Sequence, residues 1–148
     1  MESSILFDHF TKLYRPYIKL VQPLLDENQL HPAQWLVMKD IATNPGTTLV
    51  QISKRRSIEK PTTRKILKAL DAQGWLNICP GEVDKREKLL YLSKSGQTIH
   101  EKLKLQIGQL QHKTLEPLQL SDSEIARTTD ILEQLYQSLL AQLQNNEL

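Results

Sequence analysis

Three features of the 148-residue sequence predict a mainly α-helical winged helix-turn-helix domain carrying one small antiparallel β-hairpin wing. Five glycines and 5% aromatic residues, beside abundant Leu, Gln and Lys, favour helix over sheet. Long stretches repeat apolar residues at intervals of three and four, the helical period. Between Gly74 and Ser93 that period gives way to two short β-type runs, Trp75–Cys79 and Lys88–Leu92, around the polar turn PGEVDKRE. The length fits one domain with a sizeable core.

Residues 4–25 carry Leu6, Phe10, Leu13, Tyr17, Leu20 and Leu24 on one stripe of a long first helix, capped by Ser3 or Ser4. Pro16 and Pro23 lie inside it and are expected to kink or shorten it. His31-Pro32 opens a second helix with Leu36, Val37, Ile41 and Ala42 apolar, and Asn44-Pro45-Gly46 ends it. Thr47 or Thr48 caps a short third helix, with Leu49, Val50 and Ile52 inward and Lys54, Arg55 and Arg56 trailing.

Ser57-Ile58-Glu59 turns into a fourth helix, which opens with Pro61 and closes at Gly74. At about 100° per residue, Thr63, Ile66, Leu67 and Leu70 fall on one side and Pro61, Arg64, Lys65 and Lys68 on the other, with Thr62 on the flank. Ser93 or Ser95 starts a fifth helix through Ile99, Leu103, Ile107 and Leu110, stopped by Pro117. Ser121-Asp122-Ser123-Glu124 is a capping box. It opens a last helix that is apolar over a wide arc, through Ile125, Leu132, Leu135, Leu139 and Leu143. Such a helix would expose an apolar patch in a monomer, so together with the first helix it is the natural dimer surface.

Charge points to a partner. Residues 54–88 hold ten cations against five anions, a net of +5, and the rest of the chain holds nine against twelve. A basic patch on a mildly acidic body suits a polyanion. The basic side of the fourth helix is free to enter a major groove, where Arg and Lys read guanine edges. The wing tip, Asp84-Lys85-Arg86, suits the electronegative minor groove, with Asp84 orienting Arg86.

Enzyme chemistry has no support: there is no phosphate-cradling glycine loop and no nucleophile elbow, and the carboxylates are scattered. No cofactor or metal is expected, since His9, His31, His100 and His112 have no ligand spacing. The single cysteine, Cys79, excludes an internal disulfide and fits a cytoplasmic location, and no run is long enough to span a membrane. Cys79 reads as an inert strand residue.

Several segments together resemble the MarR family of bacterial winged-helix regulators. They are Gly74-Trp75-Leu76, the wing Asp84-Lys85-Arg86, Leu92-Ser93-Lys94-Ser95-Gly96, and Pro32-Ala33-Gln34-Trp35 with Val37 and Met38. The resemblance covers nearly the full chain. It implies a homodimeric, sequence-specific DNA-binding transcriptional regulator, most simply a repressor, on a near-palindromic operator. It implies a DNA-binding lobe at 30–93 and a helical dimerisation region at 1–27 and 94–148. By position, Thr62, Thr63, Arg64, Lys65 and Lys68 become the major-groove set, and Arg86, held by Asp84, the minor-groove residue with Lys85 beside it. It further implies release by a small aromatic or phenolic effector, for which Tyr14, Tyr17, Trp35 and Met38 are the pocket candidates and Arg15 the anion partner. Two positions depart from the family pattern. Arg64-Lys65 replaces the usual Thr-Arg, which alters bidentate geometry, and Ile78 stands where a basic residue is common. The alternative to operator binding is a winged-helix protein–protein module that binds another chain through its apolar terminal helices.

Overall fold

The computed structural model describes residues 2–146, as six α-helices, one 3-10 turn and a two-stranded sheet. The order is α1 (Glu2–Glu27), α2 (Pro32–Thr43), α3 (Leu49–Arg56), α4 (Lys60–Ala72), β1 (Leu76–Pro80), β2 (Lys88–Leu92), α5 (Lys94–Leu115), the 3-10 turn Glu116–Leu118 and α6 (Asp122–Asn146). The mainly helical winged architecture expected from the sequence is the one found. The described residues fall into two compact units that divide between Leu110 and Gln111.

In the first unit, α1 runs unbroken through Pro16 and Pro23. Each proline removes one helical N–H, but both prolines are exposed, as are Lys12 and Lys19 four residues earlier. The freed carbonyls belong to residues on the solvent side, where water can replace the lost bonds, and the helix is not shortened. α2 starts at Pro32 behind His31, whose N–H donates to Gln34 Oε1 at 3.0 Å. α3 is capped by Thr48, with the reciprocal bonds Gln51 N to Thr48 Oγ1 at 3.3 Å and Thr48 N to Gln51 Oε1 at 3.2 Å. Val50, expected inward, is 55% exposed.

The core joins Val21 and Leu25 of α1, Val37, Met38 and Ile41 of α2, Ile52 of α3, Ile66 and Leu70 of α4, Leu76, Leu90 and Leu92 of the hairpin, and Leu103 and Ile107 of α5. The strands pair antiparallel with Leu76 opposite Leu92 and Pro80 opposite Lys88. The hairpin is not isolated. Thr47, in the α2–α3 loop, bridges to Leu90, with Gly46 N donating to Leu90 O and Leu90 N to Thr47 O, both at 2.8 Å.

Two glycines fit the chain around the hairpin. Gly74 has φ 77°, the left-handed turn that ends α4. Gly96 packs so close that a Cβ there would lie 2.2 Å from the Trp75 carbonyl oxygen. Ser93 Oγ accepts from Gly96 N at 3.1 Å and donates to Gly74 O at 2.6 Å, capping α5 onto the end of α4.

His100 of α5 stacks on Trp35 of α2, with ring centroids 5.4 Å apart, and the Lys39 ammonium lies 5.9 Å from the Trp35 ring centroid. Burial pushes the His100 pKa down; Lys104 and Lys39 act in the same direction and Glu101 opposes them. The unfolded chain therefore takes up this proton first as pH falls below ~6.5, and stability is lost towards acid. Thermal melts at pH 7.5 and 5.5 are expected to show a lower Tm at the acid value, and His100→Gln to remove part of that difference.

In the second unit, Ser121 and Glu124 form the expected box: Glu124 N donates to Ser121 Oγ and Ser121 N to Glu124 Oε1, both at 3.0 Å. The Ser121 amide, and after it the Ser121 hydroxyl, hold the Glu124 carboxyl below its ordinary range. No described residue of α6 is buried, and Ile131, Leu132, Leu139 and Leu143 are exposed.

Candidate nucleic-acid interface

The sequence of α4 sorts its two faces. Thr63, Ile66, Leu67 and Leu70 are buried, and Thr62, Arg64, Lys65 and Lys68 are exposed. The leucines and Ile66 anchor the helix in the core, which leaves its cations in solvent. Thr63 corrects an expectation: it has no exposed surface and cannot reach a groove. Its hydroxyl instead accepts from Ser53 Oγ of α3 at 2.8 Å and donates to Glu59 O at 3.2 Å. A buried hydroxyl pair of this kind fixes how α4 crosses α3, so Thr63 sets the angle of the helix rather than touching a ligand.

Two further cations of the basic patch have structural partners. Asp40 of α2 has a side chain only 3% exposed. It accepts from Arg55 Nη2 at 2.7 Å, from Arg55 Nε at 3.1 and 3.2 Å, and from Arg56 Nε at 3.2 Å. Arg55 also donates to Thr47 Oγ1, which donates onward to Gln51 Oε1 at 3.0 Å. Donating these hydrogen bonds to the Asp40 carboxylate raises the Arg55 pKa. Sequence reasoning grouped Arg55 and Arg56 with the polyanion-facing charge and passed over Asp40. The available signal was one carboxylate among Val37, Met38 and Ile41, where an unpaired charge could not be buried.

The wing tip is built by a compact turn. Gly81 N donates to Glu87 O at 2.8 Å and Glu87 N to Asp84 O at 3.0 Å. Asp84 Oδ1 accepts from the Arg86 amide at 3.0 Å and from Arg86 Nε at 3.3 Å. The Arg86 side chain is nevertheless 94% exposed, so Asp84 orients it without burying it. Lys85 is exposed beside it, and Cys79 is exposed on β1. Between α3, α4 and the hairpin lies a groove of about 830 Å³, lined by Arg64, Lys68 and Lys88 and by Leu49, Leu67 and Ile78. One face of this lobe thus carries an exposed basic helix, a projecting arginine and a groove whose three cations outnumber its two carboxylates, Asp71 and Glu87.

The residues expected to form an effector pocket separate. Tyr14, Arg15 and Tyr17 are exposed on α1. Met38 has no exposed surface, and Trp35 is buried in its stack on His100. Met38 and Trp35 are core residues, because α2 turns both towards the packed interior. Among the described residues no cluster of His, Cys, Asp and Glu could hold a metal ion, and no helix is long and apolar enough to cross a membrane.

Known proteins match this arrangement. A family model described as the MarR family matches residues 28–87, the segment from the end of α1 to the wing tip. An HTH-type transcriptional regulator of Staphylococcus aureus strain Mu50 is 36% identical over 146 residues, covering 99% of this chain and all of the relative. The chain belongs to the MarR family. It is a transcriptional regulator of that family and not an enzyme. Among solved MarR structures, that of S. aureus MarR in complex with salicylate and kanamycin has a TM-score of 0.84 and 37% identity, covering 95% of this chain and 94% of the other. A mutant MarR from E. coli complexed with operator DNA has a TM-score of 0.75 and 25% identity, covering 90% of this chain and 95% of the other.

Proposed function

We propose that this MarR-family chain is a homodimeric repressor of the cytoplasm that binds a near-palindromic operator. In this reading Thr62, Arg64, Lys65 and Lys68 of α4 enter the major groove, and Arg86 enters the flanking minor groove with Asp84 and Lys85 beside it. The observation that carries it is the sorting of α4, with Arg64, Lys65 and Lys68 exposed on one side while Ile66, Leu67 and Leu70 are buried on the other, next to a wing whose arginine is oriented yet open to solvent. The operator complex of the E. coli protein supports this reading. The DNA-binding lobe is residues 30–93, and residues 1–27 and 94–148 form the dimerisation region, supported by the exposed apolar residues of α1 and of α6.

Release by a small aromatic effector is supported by the salicylate complex of S. aureus MarR. Tyr14, Arg15 and Tyr17, each exposed on α1, are the residues this reading assigns to meet it. The purified protein is expected to prefer its own promoter region over random duplex at moderate salt. Affinity should fall steeply as salt rises, because phosphate contacts release counterions. Equal binding to both duplexes would remove the operator reading. Light scattering then separates the alternative: a monomer that assembles only with a different chain would mark a protein–protein module.

A further inference from the structure

Both proposed DNA-reading elements hang from α3. On one side, Ser53 of α3 donates to Thr63 and holds α4. On the other, Arg55 of α3 donates to Thr47, whose backbone is paired to Leu90 of β2, the strand that leads out of the wing. Arg55 is not left to choose its own rotamer. Asp40, buried on α2, grips the guanidinium through both Nε and Nη2, a planar geometry that fixes the direction of the second donation to Thr47. Thr47 is itself 3% exposed, and its hydroxyl is used twice, accepting from Arg55 and donating to Gln51. A polar chain therefore runs from α2 through α3 to the loop that bridges the hairpin.

We propose that Thr47 is a positioning residue that couples the wing to the helix-turn-helix, with Asp40 and Arg55 setting its place. The inference rests on the operator reading above for its consequence on DNA, but not for the coupling itself. Without the Thr47 hydroxyl the Asp40–Arg55 pair survives, and only its link to the wing-bearing strand is cut. The loop then holds Leu90 by backbone bonds alone, and the wing samples a wider range of positions relative to α4. Arg86 consequently spends less time where the minor groove would meet it.

Thr47→Val tests this, since it keeps the β-branched shape and removes the hydroxyl. In the DNA-free full-length protein, amide exchange at Gly46 and Leu90 is expected to quicken by about tenfold, with the Leu103 amide of α5 unchanged. Thr47→Ser, which keeps the hydroxyl, is expected to hold exchange at the parent rate. On duplex selected from the genome by the protein, Thr47→Val and Arg86→Ala should each weaken binding. The double variant should lose less than the two single losses multiplied, because a misplaced wing without its arginine has only the Lys85 contact left to lose. Unchanged exchange at Gly46 and Leu90, or losses that multiply in the double variant, would overturn the coupling. If Arg86→Ala alone leaves binding intact, the wing reading is what fails, and the exchange rates still decide the coupling.

Discussion

Asp40→Ala is expected to destabilise the first unit by about 2–4 kcal/mol, below the usual range for breaking a buried pair because both guanidiniums keep solvent access. The carboxylate is nearly inaccessible and accepts from two arginines, whose side chains are 37% and 32% exposed. Its removal leaves Arg55 and Arg56 without their counter-charge beside the core, and they recover only part of their hydration. In urea the midpoint should fall, with the slope unchanged if the variant still folds to the same state. Asp40→Asn should lose less, since the amide oxygen still accepts one bond. A loss under about 0.5 kcal/mol for Asp40→Ala would mean that the cluster behaves as an ordinary surface ion pair.

Arg86→Ala and Lys65→Ala are each expected to weaken operator binding by about 1–3 kcal/mol, roughly 5- to 150-fold in Kd, if the lost contact is to a base edge. Neither side chain contributes to the core, as Lys65 is exposed and the Arg86 side chain, hydrogen-bonded to Asp84, is 94% exposed. Thermal stability should therefore be unchanged, which separates a binding effect from an unfolding one. Arg127→Ala on α6, an exposed cation outside the proposed DNA-reading elements, is the control: once light scattering shows the assembly unchanged, its affinity should stay within error. Equal, small losses for all three would reduce the interface to diffuse electrostatics. The Arg64-Lys65 pair is the place to look for altered base preference, because a lysine is a point charge where an arginine presents a fork.

Where local rules govern, the sequence was legible. Thr48 and Ser121 cap their helices with the partners their spacing requires, Gln51 and Glu124. Asn44 ends α2, and the hairpin strands lie within one residue of their expected bounds. The helical wheel of α4 placed Thr63 on the packed side, although the resemblance carried it into the groove-facing set; burial decides for the wheel. The prolines of α1 misled because a proline's effect depends on whether water can reach the freed carbonyls, which no periodicity records. Val50 misled because an eight-residue helix has too few turns for its stripe to be read from spacing alone.

The sequence by itself determined the order of elements, the winged helix-turn-helix class, and the separation of cations from leucines along α4. Each of these is set by residues within a few turns of one another, through helical period, caps and turn chemistry. Only the tertiary structure decided which cations remain available to a ligand. Lys65 and Arg86 stay in solvent, whereas Arg55 and Arg56 are claimed by Asp40, fifteen and sixteen residues away. It also decided that Met38 and Trp35 belong to the core and that the α2–α3 loop pairs with β2. The physical reason is common to all three. A charge or a bulky side chain takes its role from what is packed against it, and those neighbours come from other elements of the chain.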